Sequence, residues 1–481
     1  MTTALRIEER PVQNAYEKLR KGYMAKPYPS HAERVDWLER LERLLVARRE
    51  DFVKAADADF AGRCRGETLI ADVVVTLETV RASRKQVGRW MRSQEVSPSV
   101  YFLPSRAYIE YIPKGVVGII SPWNYPLNLA LAPLSAALAA GNRAIVKPSE
   151  LTPRVSALIG EAIRDNFTAE EVAVVEGGPE VAEEVTHLPL DHLFFTGSTA
   201  VGKKVAAAAA ENLVPTTLEL GGKSPALIHP DFPIEAAAER IALGKLFNGG
   251  QTCIAPDYVL LPAGREAAFT DAFRATVQRC YPDLARGSGY TSVVSQRHLE
   301  RLRALVEDAK SKGARLEVVS PDGQPAADSR KFPPVLAFEV TDSMRLMQEE
   351  IFGGILPVKS YKTMDEALAY VNGHPRPLAF YYFDRNPGRA EELLTRTPSG
   401  GACINNTLLH FAQEELPFGG VGASGIGAYH GQAGFLTFSH ARGVLAASRF
   451  FPAKKVQSPP YGKLLDRSLG FIMRGLKGLG G

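Results

Sequence analysis

An α/β protein built on parallel sheets is the fold class this sequence predicts. Three features carry that expectation. From Gly115 onward, short β-branched runs alternate with helical stretches: "VVGIIS" before "PLNLALAPLSAALAAG", "RAIVKPS" before Pro153 to Asn166, "EVAVVEGG" before Pro179 to Thr186, and "HLFFTGS" before "TAVGKKVAAAAAE". A further strand, "TTLELGG", closes this half, and a second mixed region runs from Glu219 to about His430. The length, 481 residues, suffices for two or three domains and a large core.

The first hundred residues read as helices. Ser30 is placed to cap a segment in which Val35, Leu38, Leu41 and Leu45 recur at helical spacing. A second amphipathic segment runs from about Glu67 to Arg92. In "SVYFLPSRAYIEYIPKG", two aromatic, β-rich runs flank Pro104 to Arg106, which predicts a hairpin. Leu127 to Ala140 is the most apolar segment; it is too short to span a bilayer and reads as a buried helix. After Ser458, Leu465, Leu469, Ile472 and Leu476 lie among Lys463, Arg467, Arg474 and Lys477, the pattern of a short basic amphipathic helix. Such a helix packs on the protein or a partner subunit, with a membrane surface as the alternative.

The totals narrow the function. With 57 basic and 53 acidic residues, the net charge of +4 is too small to imply nucleic acid. Cys64, Cys253, Cys280 and Cys403 are scattered and form no CxxC pair, which disfavours a disulfide framework and a metal site and suits a reducing cytoplasm. The N-terminal "MTTALRIEERPVQ" is charged and lacks the apolar stretch of a secretion signal.

A G-x-G-x-x-G spacing occurs at Gly420, Gly422 and Gly425, but it follows "EELPF" rather than a strand; a loop packed close to another backbone is the better reading. The stronger nucleotide candidate is "FFTGSTAVGKKV". There a strand ends at Thr196, Gly197 makes the turn and a helix starts near Thr199, so free amides and the positive end of the helix dipole face a pyrophosphate. "VKPSE" places Lys147 and Glu150 just beyond a strand, where open α/β sheets bind ligands. A carboxylate there accepts ribose hydroxyls and repels a 2′-phosphate, which favours NAD, while Lys147 keeps NADP open. Ser149 and Glu150 are equally compatible with a solvated helix start.

"NGGQTCIAPDY" sets Cys253 among turn residues rather than in an apolar run. A nucleophilic thiol needs access, and Gly249 and Gly250 leave room for a carbonyl to approach. Attack creates an oxyanion, for which the Asn124 amide in "SPWNYP" and the backbone N–H of Cys253 are candidate donors. Hydride loss leaves a thioester, whose hydrolysis calls for a carboxylate base. Glu219 in "LELGGKSP" ends a strand in apolar surroundings that raise its pKa. Each residue also has a plain structural reading: inert packing for the thiols, a turn for Asn124, a salt-bridged strand end for Glu219. The combination is what points to chemistry. Tyr125 and Phe418 are candidates for the walls of a substrate channel, suited to an aromatic tail and equally to a long alkyl chain.

"PWNYP", "KPSE", "FTGSTAVGK", "LELGGKSP", "NGGQTCIAPDY", "EEIFGG" and "LPFGGVGASGIGAYHG" together resemble the aldehyde dehydrogenase superfamily, in its order and across Val116 to His430. "NYP", "GQTCIAPDY" and "GAYHG" are similar to its class-3-like branch. The resemblance implies a Rossmann-like cofactor domain (1–98 and 114–218), a catalytic domain (219–430), a small β oligomerisation extension (99–113 and 431–450) that makes a homodimer, and a tail (451–481). It implies Cys253 as nucleophile, Asn124 as oxyanion donor and Glu219 as general base, with no metal. It implies cofactor contacts at Lys147, Ser149, Glu150, Gly197, Ser198, Val201, Gly202, Leu220, Gly221, Glu350 and Phe352, with Glu350 on the nicotinamide ribose and Phe352 beside the nicotinamide. Gly354 departs from the family's usual proline. The expected activity is NAD(P)-dependent oxidation of an aldehyde, aromatic or aliphatic, to its acid. A CoA-acylating relative is the nearest rival, and Glu219 argues against it; a non-catalytic NAD-binding protein is a more distant one.

Overall fold

The computed structural model describes residues 11–99, 102–451, 459 and 462–476. The chain divides into two compact units. One comprises the residues up to Trp90 together with Pro113–Ser439, the other Met91–Ile112 and the residues from His440 onward.

The larger unit opens with α1 (Pro11–Ala25) and α2 (His31–Phe60). Ser30 caps α2 as its position predicts: its hydroxyl accepts from the Glu33 amide, and the Glu33 carboxylate accepts from the Ser30 amide at 2.8 Å. Where the sequence predicts one helix from Glu67, the structure has a turn, α3 (Arg65–Glu67), a π-helical stretch Thr68–Val74, and then α4 (Val75–Trp90). The wider π turn carries Asp72 inward, where it is 1% exposed. One Asp72 oxygen accepts the Leu127 and Asn128 amides at 3.2 and 3.1 Å; the other stands 2.8 Å from the equally buried Arg63 guanidinium.

In the smaller unit β1 (Gln94–Val96) pairs antiparallel with β2 (Arg106–Pro113). The expected hairpin is therefore displaced: the strand opposite Arg106–Pro113 precedes the aromatic run. Phe102 and Ser105 lie in a turn instead, with the Ser105 amide bonded to the Phe102 carbonyl, and Val100 and Tyr101 lie outside the described residues. β-propensity alone overstated a segment whose Ser and Pro residues favour turning.

The nucleotide-type half follows as β3 (Val116–Ile120), α5 (Asn128–Ala139), β4 (Arg143–Lys147), α6 (Pro153–Asn166), β5 (Val172–Val174), α7 (Pro179–Thr186), β6 (His192–Thr196), α8 (Thr199–Glu211) and β7 (Thr216–Glu219). α5 is buried along its whole length, as the Leu127 to Ala140 segment predicts. The second half runs β8 (Pro225–Ile228), α9 (Ile234–Leu246), β9 (Tyr258–Pro262), α10 (Glu266–Cys280), α11 (Gln296–Ser311), β10 (Arg315–Val318), β11 (Val335–Phe338), α12 (Arg345–Gln348), β12 (Ile355–Tyr361), α13 (Met364–Asn372), β13 (Ala379–Phe383), α14 (Pro387–Arg396) and β14 (Gly401–Ile404), then β15 (Gly425–Ile426) and α15 (Gly431–Thr437). β16 (Ser439–Ala446) joins β1 and β2 in a three-stranded sheet, and the expected tail helix spans Lys463–Leu476, with Lys477 outside the described residues. Residues 431–437 belong with the larger unit rather than with the β extension, because α15 packs on α4 and α5.

Two sheets organise the larger unit. The first has the order β15-β7-β6-β3-β4-β5, parallel except for β15; the second has the order β10-β11-β12-β9-β8-β13-β14, parallel except for β10. From β3 the chain proceeds to β4 on one side and returns to β6 on the other, so β3 marks the switch point where α/β sheets bind ligands. The glycine-rich stretch supplies β15: Gly425 pairs with Glu219, and a Cβ there would collide with the Leu218 carbonyl. This is the close backbone packing expected of it.

Asp72→Ala leaves Arg63 buried without its partner and uncaps α5. The expected loss is about 3–5 kcal/mol, read as a lowered denaturation midpoint; a loss below about 1 kcal/mol contradicts this account of the π turn.

Candidate active site

Ile120, Lys147 and Thr196 end the adjacent strands β3, β4 and β6, and together they floor a cleft of about 720 Å³. Ser149, Glu150, Gly197, Ser198 and Val201 line it as the sequence predicts. Ser198 caps α8 by accepting the Val201 amide at 3.4 Å, so the first turn of that helix presents its free amides at the cleft. Lys147, 2% exposed, reaches Glu150 at 3.0 Å, so the cation lies beneath a solvent-facing carboxylate. A helix N-terminus, a buried lysine and an outward carboxylate fit a nucleotide's phosphates and ribose.

Other expected cofactor residues stand behind this wall. A Cβ on Gly202 would lie 2.5 Å from Leu220, so these two pack on each other and neither lines the cleft. A Cβ on Gly221 would fall on the Glu350 carboxylate, so this glycine makes room for Glu350. Phe352, at φ 52°, sets its ring edge-on to Trp123 with centroids 5.3 Å apart. Trp123 lines the cleft, as do Arg297, His298 and Arg301 of α11. The motif around Asn124 contains Trp123, but three polar residues on a charged helix carry no sequence signal. Arg301 donates to the Ile351 carbonyl at 2.7 Å and also to that of Glu350.

Cys253 sits on a loop closed by side-chain amides. Asn248, Gly249 and Gly250 take φ of 54°, 62° and 79°, a run of left-handed backbone. Asn248 donates to the Gln251 and Asn124 carbonyls at 3.2 and 3.0 Å, and Asn124 donates to the Gln251 carbonyl at 3.1 Å. Gln251 donates to the Asn248 and Ser292 carbonyls and accepts from Val294. The two glycines therefore make room for protein rather than substrate: a Cβ on Gly249 would lie 2.8 Å from the Thr291 carbonyl, and one on Gly250 would meet Gly353. Asn124 is 2% exposed and spends one of its two N–H donors on Gln251, leaving the other. The Cys253 and Ile254 amides face the Cys253 sulfur itself.

The thiol opens onto a second cavity of about 390 Å³, an apolar tunnel walled by Ile70, Val75, Leu129, Leu243, Phe247 and Phe411 among others. Tyr125 lines it as predicted, with its hydroxyl 2.5 Å from that of Thr252. Phe418 does not: it is buried behind Phe411, ring centroids 4.8 Å apart, and pairs with Tyr429. Of the remaining cysteines, Cys280 is exposed rather than packed, and Cys64 and Cys403 are half-buried.

Glu219 ends β7, is 3% exposed, and neither carboxyl oxygen has a hydrogen-bond partner among the described residues. Burial raises its pKa well above the usual carboxylate range. Burial, then the charge of Asp257, lifts Glu350 to about 8; burial, then Glu350 and Glu219, pushes the Cys253 thiol up to about 12. Thiol and carboxyls thus share one desolvated space, and without a ligand all three favour their neutral forms.

A cleft at a sheet switch point, an apolar cavity lined by a thiol, and buried carboxyls close enough to raise that thiol's pKa are the parts a nucleotide-dependent oxidoreductase needs. The aldehyde dehydrogenase family pattern matches residues 2–444, and the chain belongs to that family, enzymes that oxidise a small-molecule aldehyde to its acid with a nicotinamide cofactor. It is 46% identical over 452 residues to a probable coniferyl aldehyde dehydrogenase of Pseudomonas aeruginosa, covering 94% of each chain. It is 41% identical over 462 residues to a coniferyl aldehyde dehydrogenase of a Pseudomonas species, covering 96% of each. Among solved structures, a substrate-bound AldH of Staphylococcus aureus superposes with a TM-score of 0.90 at 36% identity, over 96% of this chain and 99% of that one. An aldehyde dehydrogenase of Mycobacterium tuberculosis complexed with NAD+ superposes at 0.81 and 28% identity, over 90% and 89%. No helix among the described residues is long and apolar enough to cross a membrane.

Because folded Glu219 holds its proton above the unfolded pKa of 4.5, the unfolded chain alone ionises as pH rises, and stability is lost from about pH 4.5 upward. Glu219→Gln removes this loss. Its melting temperature is expected to exceed the wild type's by a margin that grows from pH 5 to pH 8; a margin independent of pH contradicts the burial of an unpaired carboxyl.

Proposed function

We propose that this chain oxidises an aryl-propenal of the coniferyl aldehyde kind to its carboxylic acid, using NAD, through a thioester on Cys253. The observation that carries the reading is Cys253 lining an apolar cavity, with the unpaired Glu219 carboxyl near enough to raise its pKa. The aromatic preference rests on the printed names of the Pseudomonas relatives and on the tunnel's Tyr125, Phe247 and Phe411. NAD rather than NADP rests on the Glu150 carboxylate at the cleft, which repels a 2′-phosphate.

In this scheme Ser198 and the first turn of α8 would hold the diphosphate and Lys147 and Glu150 the adenosine ribose; by family resemblance Glu350 would hold the nicotinamide ribose and Phe352, packed edge-on to the cleft residue Trp123, would support the ring from behind the wall. When bound, the cofactor supplies the acceptor for a hydride and a positive charge that favours the thiolate. Cys253 adds its sulfur to the aldehyde carbon. The remaining Asn124 N–H donates to the oxygen as charge develops on it. The thiol proton passes to solvent as the sulfur adds; the oxyanion then re-forms C=O as the carbon gives up hydride, and the carbon is left as an acyl group on Cys253. Glu219, once it has released its own proton to solvent, takes a proton from water, the hydroxide attacks the acyl carbon, and the acid departs as the sulfur is freed. Glu219 disfavours CoA as the acyl acceptor, since hydrolysis is the step that needs this base.

The same proposal assigns residues 1–98 and 114–218 to cofactor binding, 219–430 to catalysis, and the β1-β2-β16 sheet to pairing in a homodimer, by family resemblance. A cytoplasmic location is supported by the four unpaired cysteines.

Cys253→Ala is expected to abolish NADH formation from coniferyl aldehyde. Glu219→Gln is expected to retain one turnover and then stall, with an acyl group on Cys253 detectable by intact-mass spectrometry. Steady-state turnover by Cys253→Ala refutes the covalent route, and product formation that requires CoA replaces hydrolysis by acyl transfer.

A further inference from the structure

Within an apolar tunnel, one charged side chain stands out. Arg240, Leu243, Gly244 and Phe247 follow one another at helical spacing, so a single stripe of α9 and the residue after it forms one wall. Phe247 lies where the chain turns into the cysteine loop; Arg240 lies two turns further back, about 10 Å along the helix. Among the residues lining the tunnel, Arg240 alone is charged; Tyr125, Thr252, Asn406 and Thr407 add only neutral polar groups.

Its guanidinium is only partly committed. One Nη donates to the Asn405 carbonyl at 2.7 Å, and the group sits over the Phe232 ring at 5.8 Å. Among the described residues no carboxylate lies within ion-pair distance and no partner takes its Nε or other Nη, so the rest of the donor fork is uncommitted within the protein. The wall is held independently of that fork: the Thr407 hydroxyl donates to the Arg240 carbonyl at 3.0 Å, and Gly244 leaves space for Thr407.

We infer that Arg240 is a specificity-determining residue that receives an oxygen substituent at the far end of an extended, otherwise apolar aldehyde, with Cys253 at the near end. The class of substrate is a conjugated aryl aldehyde with a ring hydroxyl or methoxyl group. A propenal arm plus a benzene ring is comparable in length to the roughly 10 Å of helix between Phe247 and Arg240, and Leu243, between those two residues on the same stripe, offers the ring an apolar wall. A phenol conjugated to an aldehyde is more acidic than an ordinary phenol, and a guanidinium donates most strongly to an oxygen bearing negative charge. A saturated alkyl aldehyde leaves these donors of the half-exposed Arg240 to water and gains no contact there, whereas a ring oxygen gains one. This inference rests on the aldehyde-oxidising reading above and narrows it.

The test compares coniferyl aldehyde with cinnamaldehyde, which has the same carbon skeleton without ring oxygens. In the wild type, kcat/KM should favour coniferyl aldehyde. In Arg240→Met, kcat/KM for coniferyl aldehyde should fall about ten- to a hundredfold, mostly through KM, while cinnamaldehyde turnover changes less than about threefold and reports an intact fold. Arg240→Lys, which keeps the charge but not the fork, should fall between. An equal loss on both aldehydes means that Arg240 only anchors the Asn405 loop, and no loss on either means that it faces away; each result overturns the inference while leaving aldehyde oxidation standing. A wild type that oxidises neither compound but turns over a medium-chain alkanal would remove the aromatic reading itself, and this inference with it.

Discussion

Three left-handed residues in a row are an expensive way to turn a chain, and Asn248, Gly249 and Gly250 persist in that conformation because the surroundings over-determine them. Asn248 and Gln251 form the knot. Their amides satisfy carbonyls that the turn would otherwise orphan, and they reach the Asn124 loop on one side and Ser292 and Val294 on the other. Gly250 then lets the Gly353 backbone pass against it. The loops that carry Cys253, Asn124 and the Glu350–Phe352 segment are therefore set by one set of contacts. A shift in any would move the others.

Desolvation is the second organising force. Glu219, Glu350 and Cys253 all favour their neutral forms, chiefly from burial, so the resting site carries little charge. Neutral groups around the sulfur admit the aldehyde carbonyl without stripping water from ions there. A bound cation shifts the balance toward thiolate where the nucleophile is wanted. The unpaired Glu219 is a stability cost retained at the place where a base is useful, which is how functional sites commonly depart from the best-packed solution.

Much of this was legible in the residues. The strand–helix alternation located β3 to β7; Ser30, Glu219, Cys253 and the α8 turn at Gly197 all lie where local chemistry predicts. Gly249 and Gly250 were legible as places where something approaches closely, but what approaches is the backbone of Thr291 and Gly353. Phe418 is aromatic and close in sequence to the motifs, yet Phe411, seven positions earlier, faces the tunnel while Phe418 supports it from behind. A chain records that a small or aromatic residue is needed; it does not record which neighbour fills the space.

The sequence by itself determined the class of fold and the family, because strand–helix alternation and a set of motifs in order are written in the residues, and it singled out Cys253 and Glu219 as candidates by the kinds of side chain that chemistry at a carbonyl demands. Tertiary structure decided which residues share a cavity: that α11 walls the nucleotide cleft, that the π turn near Asp72 braces α5, and that Arg240 of α9 opens onto the tunnel from Cys253. These are contacts between residues tens to hundreds of positions apart. They depend on how two sheets pack, and no local pattern encodes that distance.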